Sequence, residues 1–174
     1  MNNVNKKNLT KQLCALALLI AVGVVLGRLV PVLSVWNAKI GFSFVAVMLA
    51  ACIAGPIGGM VTGALIDFIG AILLPTGAYF PGFTATAALT GLVFGLLLYK
   101  KCNLGRIVIA VLSTQLVCGF LLNTLFISIL YTKAFTVLLA TRAIQVVVMS
   151  VIEIVFAELV LDRAKLVQRI KLAA

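Results

Sequence analysis

Histidine is absent from this chain, and acidic residues number four against 14 lysines and arginines. Without histidine, and with four cysteines that show neither CxxC nor metal-ligand spacing, a zinc site, a histidine-based catalyst and a disulfide framework find little support. There is no Walker loop, no GxGxxG turn, no nucleophile beside a base and no carboxylate pair at metal spacing. The chain therefore reads as a non-enzyme with no cofactor. An ATPase is excluded on this chain alone, so any active transport must draw its energy from a partner.

Charge as a whole is also scarce, at 10% of the 174 residues, where a soluble domain carries about 25%. Hydrophobic residues make up 64%, and the mean hydropathy is +1.27. A core of this size cannot hide so much apolar surface, so the sequence predicts an integral membrane protein. The apolar runs are continuous rather than alternating, which argues against a β-barrel. At roughly 20 residues per crossing, the expected fold is an all-α compact bundle of about six transmembrane helices. Residues 1–10 form a basic N-terminus, 11–161 the membrane domain, and 162–174 a basic amphipathic tail. No small-residue cleavage site ends the first apolar run before Arg28, which favours a retained helix over a signal peptide.

The expected helices run from about Lys11 to Val30, with Thr10 as N-cap, then Gly41 to Ala54 and Ile57 to Leu74 on either side of Gly55-Pro56. Three more follow, from about Thr84 to Tyr99, Arg106 to Leu130 and Thr136 to Leu161. Small residues recur every four positions at Ala17/Ala21, Ala46/Ala50/Ala54, Gly59/Gly63 and Ala87/Gly91/Gly95, the spacing that lets helices approach closely in lipid. With both termini cytoplasmic, ten lysines and arginines fall on the inner side against Arg28, Lys39 and Lys133 on the outer side. This placement at the ends of apolar runs assigns the basic balance to topology and anionic lipid rather than to nucleic acid.

The outer cations, together with Arg142, depart from that bias, and an outward-facing pocket for an anionic solute would explain them. Arg28, Lys39 and Arg142 are candidates for ligand carboxylates, because guanidinium and ammonium groups pair with them strongly. Trp36, Tyr79, Phe80 and Phe83, on the external loops 31–40 and 75–83, suit a flat ring, with Asn37 beside Trp36. Asn123 and Gln145 are amides in apolar helices and can read donor and acceptor edges. Asp67 can pair with a cation across the bundle, accept protons, or read the N–H groups of a heterocycle. Glu153 lies deeper and reads as a structural partner or as a contact for another subunit. Each of these residues also admits a plainer role as interface anchor, snorkelling cation or helix-helix glue.

The segment KIGFSFVAVMLAACIAGPIGGMVTGALIDFIG, followed by LPTGAYFPGFTATAALTGLVFGLLLYK, resembles the substrate-binding S components of energy-coupling factor (ECF) vitamin transporters. The similarity is strongest to the folate-specific branch. It rests on Pro56, Gly58, Gly59, Gly63 and Asp67, the Tyr79–Thr84 block, Leu121–Phe135 and Thr141–Gln145, and covers nearly all but the first ten residues and the tail. The resemblance implies a multi-pass protein of the bacterial cell membrane that binds folate or a related anionic vitamin from outside under loop lids. It also implies partners, namely a transmembrane coupling subunit and two ATPase subunits that drive inward release. Ala17 and Ala21 would then match the face that meets the coupling subunit.

Other readings remain open. Within the family the vitamin could be pantothenate, thiamine, riboflavin or a deazapurine; pantothenate, with no ring, would favour a pocket without stacking. A solitary channel or secondary transporter predicts an inverted repeat or a continuous polar lane, and neither stands out. A purely structural membrane subunit would turn its outer cations to lipid.

Overall fold

Glycine and proline decide where the rods of this protein break. The computed structural model describes residues 3–28, 41–75, 79–99, 103–131 and 135–162. Regular structure among them is helical: α1 (Asn3–Arg28), α2 (Ser43–Leu73), α3 (Pro81–Leu98), α4 (Leu104–Thr114), a π-helical stretch Gln115–Leu122, α5 (Asn123–Tyr131) and α6 (Phe135–Asp162). Four helices among the described residues are long and apolar enough to cross a membrane: Thr10–Arg28, Ser43–Leu73, Pro81–Leu98 and Leu104–Ile129. Many of their large apolar side chains are exposed, including Leu18, Ile57, Ile72, Leu96 and Ile129. An apolar surface of that extent suits lipid rather than water.

The two short segments expected around Gly55-Pro56 are the two arms of α2, separated by a backbone reversal. Gly55 takes φ 77° and ψ −165°, a region open essentially to glycine alone, and Pro56 follows as the first residue of the second arm. The arms therefore fold back beside each other, and the ring of Tyr99, just past α3, lies 3.4 Å from where a Gly55 Cβ would stand. α2 and α3 share the most extensive helix contact, and the second arm of α2 takes part through its glycines. Their glycines face each other: a Cβ on Gly59 would meet the Gly91 carbonyl, one on Gly63 the Ala87 carbonyl, and one on Gly95 the backbone of Pro56. In lipid, packing rather than water exclusion drives helix association, so this close approach supplies much of the cohesion.

Two expected boundaries shift. α1 begins at Asn3, well before Thr10, so the basic N-terminal residues extend the helix instead of preceding it. α3 begins at Pro81 rather than Thr84, because proline at the first helical position has no N–H to leave unpaired and its φ is already helical. The packed core, with Met48, Ala51, Cys52, Phe94, Leu98, Ile107, Val111 and Ala157, lies between the Gly55 turn and the middle of the bundle. Towards the opposite end, where α1 and the second arm of α2 finish and α3 begins, packing gives way to a cavity.

Candidate functional site

Each part of the cavity traces to a local feature of the sequence. The end of α1 contributes Gly23, Gly27 and Arg28; the first arm of α2 contributes Ser43, Phe44 and Val47; the second arm adds Gly63, Ile66 and Asp67. Small residues open this space, since a Cβ on Gly27 would come within 3.1 Å of Ser43 Cβ. The start of α3 supplies Phe83, Thr86 and Thr90, preceded by Tyr79 and Phe80. The fourth wall runs through Thr114, Gln115, Cys118, Gly119, Asn123 and Ile127, and the fifth, on α6, through Gln145, Val146, Met149 and Glu153. The cavity volume is about 590 Å³, within the range of pockets that take a drug-sized molecule.

The π-helical stretch explains the fourth wall. Thr114, Cys118, Asn123 and Ile127 recur at intervals of four or five residues, a spacing that suits the wider i→i+5 turn better than 3.6 residues. The wall thus keeps one face on the cavity through the stretch.

Near the mouth, Arg28 Nη2 lies 3.7 Å from Asp67 Oδ1, and Thr84 Oγ1 donates to Asp67 Oδ2 at 2.8 Å. The Tyr79 hydroxyl lies 3.3 Å from Thr84 Oγ1, which completes a polar chain from α1 across α2 to the start of α3. Gly70 makes this possible, because a Cβ there would come 3.0 Å from Arg28 Nε. Asp67 thus pairs with a cation across the bundle, one of the roles expected of it.

Next to this chain lies an aromatic cluster. Phe80, Phe83 and Phe126 pack with ring centroids 5.3–6.3 Å apart at steep angles, and Gly82 leaves room for two of these rings. Thr86 Oγ1 lies 2.8 Å from the Phe83 carbonyl oxygen and 3.1 Å from Asn123 Oδ1, two acceptors that share its one hydroxyl hydrogen and tie the Asn123 amide to the start of α3. Deepest is Gln115 Nε2, which donates to Glu153 Oε1 at 2.7 Å.

The structure therefore brings Arg28, Asp67, Tyr79, Phe80, Phe83, Asn123 and Gln145 to one cavity. Trp36, Asn37 and Lys39, and the side chain of Arg142 on α6, lie outside the described residues. Glu153, expected to serve structure or another subunit, has a structural partner in Gln115 and also lines the cavity, with Gln115, Thr86, Thr90 and Cys118 as further polar lining residues not singled out for the site; Thr84 reaches it through Asp67. Gln115 carries the same signal that marked Asn123, an amide in an apolar helix that needs a partner.

Against known proteins, the family described as "ECF transporter, substrate-specific component" matches residues 11–161. The chain belongs to this family. It is 35% identical over 112 residues to the folate transporter FolT of Clostridium novyi (strain NT), a match covering 64% of this chain and just under two thirds, 65%, of that relative. It is 32% identical over 152 residues to the folate transporter FolT of Leuconostoc mesenteroides, covering 83% of this chain and 81% of the other. Among solved structures, the crystal structure of FolT bound with folic acid superposes with a TM-score of 0.81 at 29% identity, covering 88% of this chain and 94% of that one. As an ECF substrate-specific component, the protein is a membrane-embedded binding subunit rather than an enzyme.

Proposed function

We propose that this protein is the folate-binding subunit of an ECF transporter, taking its ligand from the extracellular side and releasing it inward when coupled to an ATP-driven module. The observation that carries the reading is the cavity itself. A fold similar to folic-acid-bound FolT holds an open cavity of about 590 Å³ that grades from Arg28 and Tyr79 at the mouth, through aromatic rings, to amides and a carboxyl group at the floor. Folic acid has the matching gradient, from a dicarboxylate tail through an aryl linker to a flat pterin rich in hydrogen-bonding edges.

In this reading Arg28 holds a tail carboxylate. A guanidinium has five N–H donors, so it can engage Asp67 and a ligand together. Asp67 acts through Arg28, keeping it turned to the cavity. Tyr79, Phe80 and Phe83 face the rings, while Asn123 and Gln145 serve polar edges. Trp36, Asn37, Lys39 and Arg142 are proposed to complete the outer closure. The chain would cross a bacterial cell membrane with about six helices, counting the arms of α2 separately, and both termini would be cytoplasmic. The Gly55 turn then sits inside and the cavity mouth outside. Ala17 and Ala21 would meet a transmembrane coupling subunit, and two ATPase subunits would supply the energy.

Isothermal titration of the detergent-purified chain tests this reading. Folic acid, its reduced forms and its formyl derivatives are expected to bind, with pantothenate, thiamine and riboflavin far weaker. Absence of binding by every folate at micromolar concentration would overturn it.

A further inference from the structure

We propose that Glu153, seated by Gln115, is the specificity-determining residue that reads the amino-pyrimidine edge of the ligand at the buried floor of the cavity; this rests on the folate reading above. Two acidic side chains line the cavity, and their surroundings differ. Asp67 has Arg28 on Oδ1 and Thr84 on Oδ2, so both its oxygens are engaged near the mouth. Glu153 is 6% exposed, lines the cavity, and among the described residues has Gln115 on Oε1 as its hydrogen-bond partner. It lies eight positions after Gln145 on α6, which places it about 12 Å further along the helix at about 1.5 Å per residue.

A carboxyl group at that depth needs donors opposite it, because an incompletely paired one is costly away from water. The pterin ring of folic acid offers a 2-amino group beside a ring N–H, two parallel donors that match the two oxygens of one carboxylate. Oε1 can take a ligand N–H as well as Gln115, since each oxygen has two lone pairs. Gln115 is a positioning residue. Its amide oxygen lies over Gly119, where a Cβ would come 2.6 Å away, and the missing side chain lets Nε2 face Glu153.

The arrangement also sets direction. The dicarboxylate tail is attracted to Arg28, so the tail stays at the mouth and the ring enters first. A ringless anion would leave the floor unpaired, which is discrimination by penalty as much as by attraction.

The test compares folic acid with its analogue bearing a methyl group in place of the 2-amino group, on wild type and on Glu153→Gln, in detergent. Wild type should prefer folic acid by at least roughly 30-fold, the scale of a charge-assisted hydrogen bond. Glu153→Gln should bind folic acid weaker by a similar factor and distinguish the ligands by less than about threefold, as a closed double-mutant cycle requires. Gln115→Met should lose part of the discrimination while leaving the carboxyl group in place. Equal affinity of wild type for the two ligands overturns the proposal, and this comparison needs no variant to fold. Unchanged discrimination in Glu153→Gln overturns it as well. A wild type that binds no folate at all would instead remove the folate reading beneath it.

Discussion

Arg28 and Asp67 show how much one ion pair can organise. The pair joins the end of α1 to the second arm of α2 at 3.7 Å, with the two side chains 19% and 23% exposed. At that exposure the pair contributes little to stability, so its value lies in holding a cation at the cavity mouth. Arg28→Gln is expected to weaken folic acid binding by about 10- to 100-fold in equilibrium titration, the loss of a charge-assisted hydrogen bond. Asp67→Asn should cost less, under about tenfold, because the guanidinium remains. Wild-type affinity in Arg28→Gln would remove Arg28 from the ligand site. A different residue, Thr62, is 1% exposed on α2, and its hydroxyl has no partner among the described residues. An orphaned buried hydroxyl costs about 1–3 kcal/mol, so Thr62→Val should raise the thermal midpoint of the purified protein. A lowered midpoint would mean that the hydroxyl is satisfied. At this scale the sequence was informative wherever a polar residue interrupted an apolar run, because the cost of burying it is visible without coordinates. Arg28, Asp67 and Asn123 were legible for that reason. Glu153 was equally visible as a cost, but its destination depended on which face α6 turns inward, and an apolar helix carries no such mark.

Among the elements, the break at Gly55 was legible and the π-helical stretch was not. Gly55-Pro56 combines a residue that tolerates φ 77° with one suited to start a helix, so the punctuation is local. The stretch Gln115–Leu122 reads QLVCGFLL, an apolar run with no proline, and only the recurrence of cavity-lining positions betrays its wider turn. The paired glycine lanes of α2 and α3 were likewise visible singly, while their facing each other required the fold. The Gly55 turn yields a prediction that separates stability from binding. Gly55→Ala forces a Cβ into a backbone region kept for glycine and should cost about 1–3 kcal/mol, read as a lower thermal midpoint. Folic acid affinity should stay within about twofold of wild type, because the turn lies at the end of the bundle away from the cavity. An unchanged midpoint would show that the turn relaxes without penalty.

For the molecule as a whole, the decisive asymmetry lies along α1. Ala17, Ala21, Val24 and Arg28 follow one another at intervals of three and four residues, so they share a stripe of the helix. The later half of that stripe is covered: Val24 is buried, and beside it Gly23 packs against Ala46 and Ile66 of α2. The earlier half is not, since Ala17 and Ala21 are exposed, as are Leu18 and Val22 beside them. Lipid alone would tolerate any apolar side chain there. Two alanines one turn apart instead leave a shallow surface on which another helix can lie close, where packing supplies the attraction that water exclusion cannot. This supports docking of a coupling subunit on the uncovered half of α1, far along the helix from Arg28. Replacing both alanines by tryptophan should therefore separate ligand binding from the proposed coupling. Folic acid titration of the isolated variant should give an affinity within about twofold of wild type, because neither residue lines the cavity. Uptake of labelled folate by cells or vesicles carrying the assembled transporter should fall by at least about tenfold, since bulky rings hold the partner helix off. Full uptake in the double variant would place the coupling interface elsewhere, and loss of binding in the isolated variant would mean that α1 also shapes the cavity.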